Sequence, residues 1–236
     1  MDPKVSIIIP FYNCSYVDQA IQSALNQTYK NVEVIVVDDG SINFTEKISP
    51  YKEDICYVRK ENGGTATALN RGISTATGDY IAWLSSDDHF LPEKISKQIS
   101  FMLNHNADAS FTNYDIIDEN NQVLIPCCGM RFSNLADIYR AFLLYNVVNG
   151  CTVVIKKKIF DNLGFFDPTY RYTHDYEMWF RLLVGGYKMH YIDEVLTKFR
   201  SHEESGTRKY QKEMKLEMSK IESHYRPILA EYIKQL

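Results

Sequence analysis

The first hundred residues alternate between continuous apolar runs and segments whose apolar residues recur at helical spacing. Four apolar runs have the length of strands buried on both faces of a sheet: 5–9, 32–37, 55–58 and 80–84. Three segments between or after them place apolar residues on one helical face: 16–25, 63–73 and 92–103. Strand–helix alternation of this kind predicts an α/β sheet with right-handed crossovers.

The second half of the chain is less regular. Its candidate strands are 109–114, 122–125, 151–155 and a final pair at 187–192 and 195–199. Its candidate helices are 135–144 and 173–183. From Thr207 onward apolar residues again recur at helical spacing, which predicts a long amphipathic C-terminal helix.

Polar clusters stand at the carboxyl ends of three predicted strands. They are Pro10-Phe11-Tyr12-Asn13, Asp38-Asp39-Gly40-Ser41 and Ser85-Ser86-Asp87-Asp88. In open α/β sheets ligands bind beyond these strand ends, so the three clusters predict one binding site. The sequence has neither G-x-G-x-x-G after its first strand nor a P-loop motif, which argues against a dinucleotide oxidoreductase and a P-loop kinase.

Charge and cysteine content narrow the function classes. A formal net charge of −4 gives no global attraction to nucleic acid, so no nucleic-acid partner is expected. The five cysteines are odd in number and include no C-x-x-C pair, which indicates free thiols in a reducing cytosol. No run has the length of a secretory signal or a membrane span, so we expect a cytoplasmic protein, soluble or peripheral at the membrane's inner face.

An ordered set of motifs carries a resemblance to a known family. The motifs lie at 10–13, 23–29, 33–41, 62–64, 68–73, 78–88, 164–167, 174–182 and 199–202. In this order and spacing, over residues 4–205, the chain resembles the family 2 inverting glycosyltransferases of bacterial cell-surface polysaccharide synthesis. The resemblance implies an A-type glycosyltransferase fold: α/β, with a Rossmann-like mixed central sheet flanked by helices, and here a C-terminal helix. It also implies a nucleotide-diphosphate sugar donor, usually a UDP-sugar.

The same resemblance suggests how the chain is divided. We expect a glycosyltransferase domain at 1–205, with a nucleotide-sugar-binding half at 1–105 and an acceptor-binding half at 106–205. An amphipathic helix at 206–236 would follow. This helix packs on the domain, or its basic face rests on an anionic membrane or on a second copy of the chain.

The resemblance also implies roles for individual residues. Those for the donor are Pro10 and Tyr12 beside the nucleobase, Asp39 on the uracil edge, Asp87 on the nucleotide or sugar, and Asn13 and Gly64 in donor-binding segments. Those for a divalent cation, Mn²⁺ or Mg²⁺, are Asp88 and, at the diphosphate or metal, His202. The catalytic base would be Asp175, and the acceptor-site candidates are Trp179, Gly150 and Cys151.

The chemistry of sugar transfer supports these roles independently. A nucleoside diphosphate gains charge as it leaves, and a cation that bridges its phosphates neutralises that charge. An inverting transfer also needs a base that deprotonates the acceptor hydroxyl, and Asp175 lies in the first turn of a predicted helix. Structural alternatives stay open: Asp38 can brace its turn, His202 can be a surface residue, and Cys151 can be a small buried filler.

Two positions depart from the family pattern. Ser85 stands where most relatives have aspartate, and His174 stands where most have glutamate before the base.

The resemblance as a whole leads us to expect a hexosyltransferase-like enzyme whose acceptor is a hydroxyl of a glycan or lipid-linked glycan. The alternative is a catalytically inactive nucleotide-sugar-binding module. A nucleotidyltransferase would need a glycine- and basic-rich loop where Phe11-Tyr12-Asn13 stands.

Overall fold

A nine-stranded mixed sheet forms the centre of the protein. The computed structural model describes residues 2–235. The strands are β1 Val5–Phe11, β2 Val32–Asp38, β3 Cys56–Arg59, β4 Tyr80–Trp83, β5 His89–Phe90, β6 Ala109–Ile117, β7 Val123–Ile125, β8 Val154–Lys156 and β9 Met189–Arg200. Their order across the sheet is β3-β2-β1-β4-β8-β6-β9-β5, and β7 pairs with β6.

Eight helices and two short 3₁₀ helices surround the sheet in the described residues. The helices are α1 Val17–Leu25, α2 Thr65–Thr75, α3 Lys94–Asn104, α4 Leu135–Phe142, α5 Lys158–Leu163, α6 His174–Val184, α7 Gly206–Lys209 and α8 Gln211–Ile233. The 3₁₀ helices are Thr45–Tyr51 and Gly150–Thr152. The predicted α/β fold, with a mixed sheet flanked by helices and a C-terminal helix, is confirmed.

The sheet combines a parallel half with a mixed half. Strands β3, β2, β1 and β4 run parallel, and every residue of β1 is buried, which explains its uninterrupted apolar sequence. β8 then pairs antiparallel with both β4 and β6, while β6 and β9 run parallel. Both halves of the chain therefore contribute to one continuous sheet.

The last strand differs from the sequence prediction. The segments predicted at 187–192 and 195–199 are not a strand pair: residues 189–192 and 195–199 both lie in the single strand β9, and 187–188 precede it. The register between β6 and β9 shifts near Asn113, so β9 carries extra residues there without turning back. A local bulge of this kind interrupts the apolar pattern much as a turn does.

Two apolar cores cover the two faces of the sheet. On one face α1 and α3 contribute Ile21, Ile95 and Ile99, all buried. On the other face α2, α4, α6 and α8 pack together. The α8 residues Ile221 and Leu229 are fully buried in that second core. The apolar stripe of the C-terminal helix is thus largely used within the domain, and contact with a membrane or a second copy stays a prediction. In the segment from residue 2 to 235, no helix has the length and apolar character needed to cross a membrane.

Candidate active site

The turns after β1 and β2 are joined at the carboxyl edge of the sheet. Asn13, at a φ of 47°, accepts hydrogen bonds with its Oδ1 from the backbone N–H groups of Ile42 and Asn43. Tyr12 beside it is 54% exposed, so its ring is free to stack on a base. Pro10 is buried within β1 and offers no surface at this edge. Of the two residues predicted to border the nucleobase, only Tyr12 therefore lies at the surface.

The two aspartates after β2 have different environments. Asp38 is fully buried and accepts from the Ser41 N–H at 2.7 Å and the Tyr57 hydroxyl at 2.5 Å, so it braces the turn. Asp39 is also buried, and its carboxylate faces the loop before α2. Asp38 therefore supports its turn, as the structural alternative for this residue expects.

The Asp39 carboxylate is already occupied by donors from its own chain. Lys60 Nζ lies 2.5 Å from Oδ1, Gly63 N lies 3.0 Å from Oδ1, and Gly64 N lies 2.8 Å from Oδ2. Gly63 N also lies 3.2 Å from Oδ2, so these contacts use the roughly four hydrogen bonds that a carboxylate accepts, and a base edge would reach Asp39 by displacing one of the donors. The contact between Asp39 and uracil stays a prediction. Lys60, which no sequence pattern singled out, is the residue that would have to yield.

The turn after β4 carries the predicted metal-binding residues. Asp87 is partly exposed at its side chain, and its Oδ2 lies 3.0 Å from Nε2 of His202, beyond the end of β9. Asp88 is fully buried; Oδ1 accepts from the Arg200 N–H at 2.8 Å, and Oδ2 has no hydrogen-bond partner. Burial and the charge of Asp87 raise the pKa of Asp88 well above its ordinary value.

Asp87 and His202 are the side chains of this region that could hold a divalent cation. In residues 2–235 no three His, Cys, Asp or Glu side chains converge into a cage for a metal. Mg²⁺ and Mn²⁺ at phosphate sites accept few protein ligands and complete their shell with phosphate oxygens and water. Asp87 is the carboxylate that an incoming diphosphate and its cation can reach, whereas the orphan oxygen of Asp88 is sealed off. The role of Asp88 as metal ligand stays a prediction that this burial disfavours.

Arg200 holds the acidic turn and the end of β9 together. Its side chain is fully buried, and Nε donates to the Asp87 carbonyl at 2.8 Å. Nη1 donates to the Asp118 carbonyl at 2.8 Å, and the guanidinium lies 4.3 Å from the centre of the Tyr16 ring. The Tyr16 ring in turn packs edge-on against His202, with 5.4 Å between ring centroids. The Arg200 guanidinium thus holds Asp87 through its carbonyl, and holds His202 through the Tyr16 ring.

Asp175 lies in the first turn of α6, next to the end of β4. Its Oδ1 accepts from the Tyr176 N–H at 2.8 Å. Burial raises the pKa of Asp175 to about 6, although this hydrogen bond acts in the opposite direction. The neighbouring His174 ring lies 5.5 Å from the ring of Trp83, the last residue of β4. The helix that carries the predicted base therefore begins beside the last residue of the strand that leads into the acidic turn. A pKa of about 6 would suit proton transfer near neutral pH.

A family model matches more than half of the chain. The model of glycosyl transferase family 2 matches residues 6–164. The chain belongs to glycosyl transferase family 2.

Individual relatives of this family 2 protein include both enzymes and solved structures. An uncharacterized glycosyltransferase from Rickettsia typhi is 43% identical over 87% of this chain and 66% of its own length. The Escherichia coli UDP-Glc:alpha-D-GlcNAc-diphosphoundecaprenol beta-1,3-glucosyltransferase WfaP is 37% identical over 84% of this chain and 77% of its own length. The structure of S. aureus TarS 1–349 with UDP-GlcNAc has a TM-score of 0.73 and 19% identity, covering 98% of this chain and 71% of that one. The expected A-type glycosyltransferase fold is thereby confirmed, and this chain spans just under two thirds of the length of the Rickettsia typhi relative.

The family 2 chain buries all three residues predicted for the acceptor site. Trp179 and Cys151 are 1% and 3% exposed, and Gly150 is buried against the Trp83 ring. Cys151 Sγ lies 2.9 Å from Ser85 Oγ. We therefore place these residues beneath the wall of the site; a direct acceptor contact would require their exposure. The Arg200-x-His202 spacing pointed toward the acidic turn, but no pattern revealed that Arg200 would organise it.

Proposed function

We propose that this family 2 protein is an inverting glycosyltransferase that moves a sugar from a UDP-sugar to a hydroxyl of a glycan or lipid-linked acceptor. The observation that carries the proposal is the placement of Asp175. It is the second residue of α6, whose first residue, His174, has its ring 5.5 Å from that of Trp83, four residues before Asp87 in the chain. A base and a diphosphate-binding turn at one edge of the sheet are the two elements that sugar transfer requires.

The residues divide the reaction between them. Tyr12 would stack on the uracil, and the turns after β1 and β2 would hold the nucleoside. Asp87 and His202 would hold the cation, which when bound neutralises charge on the departing diphosphate. Asp175 accepts the proton of the acceptor hydroxyl as its oxygen bonds to the anomeric carbon. The bond from that carbon to the diphosphate breaks on the opposite face, so UDP leaves and the configuration inverts.

Relatives support the donor and acceptor classes of this proposal. The WfaP name specifies a UDP-glucose donor and a diphosphoundecaprenol-linked acceptor, and TarS was solved with UDP-GlcNAc. A lipid-linked acceptor would place the reaction of this chain at the cytoplasmic face of the membrane.

The test is nucleotide release with a panel of donors. UDP-, GDP- and TDP-sugars are incubated with Mn²⁺ or Mg²⁺, with and without glycan acceptors, and nucleoside diphosphate is measured. Asp175→Asn should lower UDP release by about 10²–10⁴-fold in the presence of acceptor. Asp137→Asn is the matched control, because Asp137 is also a first-turn aspartate, but it lies in another helix, α4, where it pairs with Arg140. No release from any uridine donor, or equal rates in both variants, would refute the proposal.

A further inference from the structure

The helix that carries Asp175 begins without a cap from its own sequence. Thr173 is the N-cap residue of α6, and its side chain makes no hydrogen bond to the first turn of the helix. The first N–H groups of a helix lack backbone partners within it. Asp175 binds one of them, the Tyr176 N–H, but the loop before Thr173 lies outside the helix and needs a partner of its own. The partner that fixes this loop comes from a distant part of the chain.

The Glu217 carboxylate in α8 binds three consecutive residues just before α6. Oε1 accepts from the Arg171 N–H at 3.0 Å, and Oε2 accepts from the Tyr172 N–H at 3.0 Å. Oε2 also accepts from the Thr173 hydroxyl at 2.7 Å. The Thr173 hydroxyl therefore donates toward α8. A carboxylate here also places negative charge beside a helix N-terminus, where it is stabilising.

The rest of α8 gives Glu217 a firm base on α6. Leu229 is buried between the helices, and the Tyr225 ring stacks on Phe180 with 5.5 Å between centroids. The Tyr225 hydroxyl donates to Glu177 at 2.7 Å. Because α8 is packed along α6 in this way, the Glu217 side chain is held in place over the loop.

The loop held by Glu217 also reaches the nucleotide half of the site. The Arg171 side chain passes beside Gly64, whose added Cβ would lie 4.0 Å from Arg171 Cγ and Nε. Gly64 N in turn donates to Asp39. The loop at 170–173 therefore lies between the donor-binding turns and Asp175.

We propose that Glu217 is a positioning residue for sugar transfer: through the loop at 170–173 it fixes Asp175 relative to the donor-binding turns. The inference rests on the proposed function of Asp175 as base. It gives the C-terminal helix a role in the reaction through a side chain that touches neither substrate nor cation. A small displacement of the base is enough to slow transfer, since a shift of about 1 Å can cost about 10²-fold.

The test compares Glu217→Ala with a matched control on the same helix. Glu222→Ala removes a contact between α8 and α6, the 3.2 Å bond from the Tyr176 hydroxyl, but leaves the loop alone. We expect Glu217→Ala to lower kcat by about 10–100-fold while the Kd of UDP stays within about threefold. Glu222→Ala should keep kcat within about threefold of the unaltered chain, with a comparable fall in Tm. Glu217→Gln, which keeps one acceptor oxygen, should fall between them.

Amide hydrogen exchange gives a second measurement that needs no activity. The proposal expects faster exchange at 171–173 in Glu217→Ala, and unchanged exchange there in Glu222→Ala. Equal losses of kcat in the two variants, or unaltered exchange at 171–173 in Glu217→Ala, would overturn it. If the unaltered chain transfers no sugar from any donor, the proposed function fails, and exchange alone then decides whether Glu217 holds the loop.

Discussion

The pKa of Asp175 predicts the pH dependence of transfer. The perturbation is pH itself, compared between the unaltered chain and Asp175→Asn. Burial raises the pKa of Asp175 to about 6, and a base accepts a proton only when it is ionised. Activity should therefore rise as pH increases through about 6 and level off above it.

The size of this change follows from the titration. With a pKa of about 6, roughly one tenth of Asp175 is ionised at pH 5 and nearly all of it at pH 7.5. The rate should accordingly fall by about tenfold over this range. An aspartate at its ordinary pKa of 3.8 would remain ionised, and the rate would hardly change.

The assay is kcat/KM for UDP release at fixed Mn²⁺, measured from pH 5 to 8. An ordinary histidine titrates in the same range, so His202→Asn is measured beside the unaltered chain. The fall in kcat/KM at acid pH, here called the acid limb, should persist in His202→Asn. It should be absent from the residual activity of Asp175→Asn. A limb that disappears with His202, or one that survives in Asp175→Asn, would show that another group sets the pH dependence.

Three further changes test other parts of the structure. Asp87→Asn should raise the Mn²⁺ concentration for half-maximal UDP release by at least about tenfold, and an unchanged metal titration would remove Asp87 from the cation site. Burial favours the neutral form of Glu33, but its hydrogen bonds outweigh burial and lower its pKa to about 2. The ionised form of Glu33 thus adds to the free energy of unfolding above about pH 4.5, and this contribution is lost as pH falls toward 2. Glu33→Gln should therefore lower the urea midpoint of unfolding more at pH 7 than at pH 3. Gly150→Ala should destabilise the fold by about 1–3 kcal/mol, because the new Cβ would overlap the Trp83 ring. Calorimetry should show no such loss for Gly206→Ala, where the added Cβ meets open space.

Most of the longer strands and helices in the first hundred residues could be predicted because they bury one face or both faces. β1 and β2 are read directly from apolar runs, and α1 from one apolar face. The two-residue strand β5 could not be found, because its pairing with β9 depends on a partner more than a hundred residues away. The continuity of β9 through its bulge depends likewise on β6.

The polar clusters at the strand ends could be predicted from sequence, but the environment of each side chain within them could not. The neighbours Asp87 and Asp88 are the same residue type in the sequence, yet Asp88 is fully buried and Asp87 is partly exposed. The difference arises because Asp88 points toward the backbone of Arg200 on β9, a contact between distant segments. Lys60 binds Asp39, and Glu217 of α8 binds the loop before α6. Both contacts join segments that are separated along the chain, and the spacing of apolar residues carries no information about them.

The two departures from the family pattern both remove negative charge beside a retained functional carboxylate. Ser85 binds the Cys151 thiol, and an aspartate there would add a third carboxylate next to buried Asp88. Burial lowers the pKa of His174 to about 4, so this ring is neutral beside Asp175, where a glutamate would push the pKa of the base higher. The turn still presents Asp87, and Asp175 stays mostly ionised at neutral pH, as its proposed role as base requires. Such a pattern favours an adjusted active site over an inactive binding module, and calorimetry showing UDP-sugar binding without turnover on any acceptor extract would reverse that conclusion.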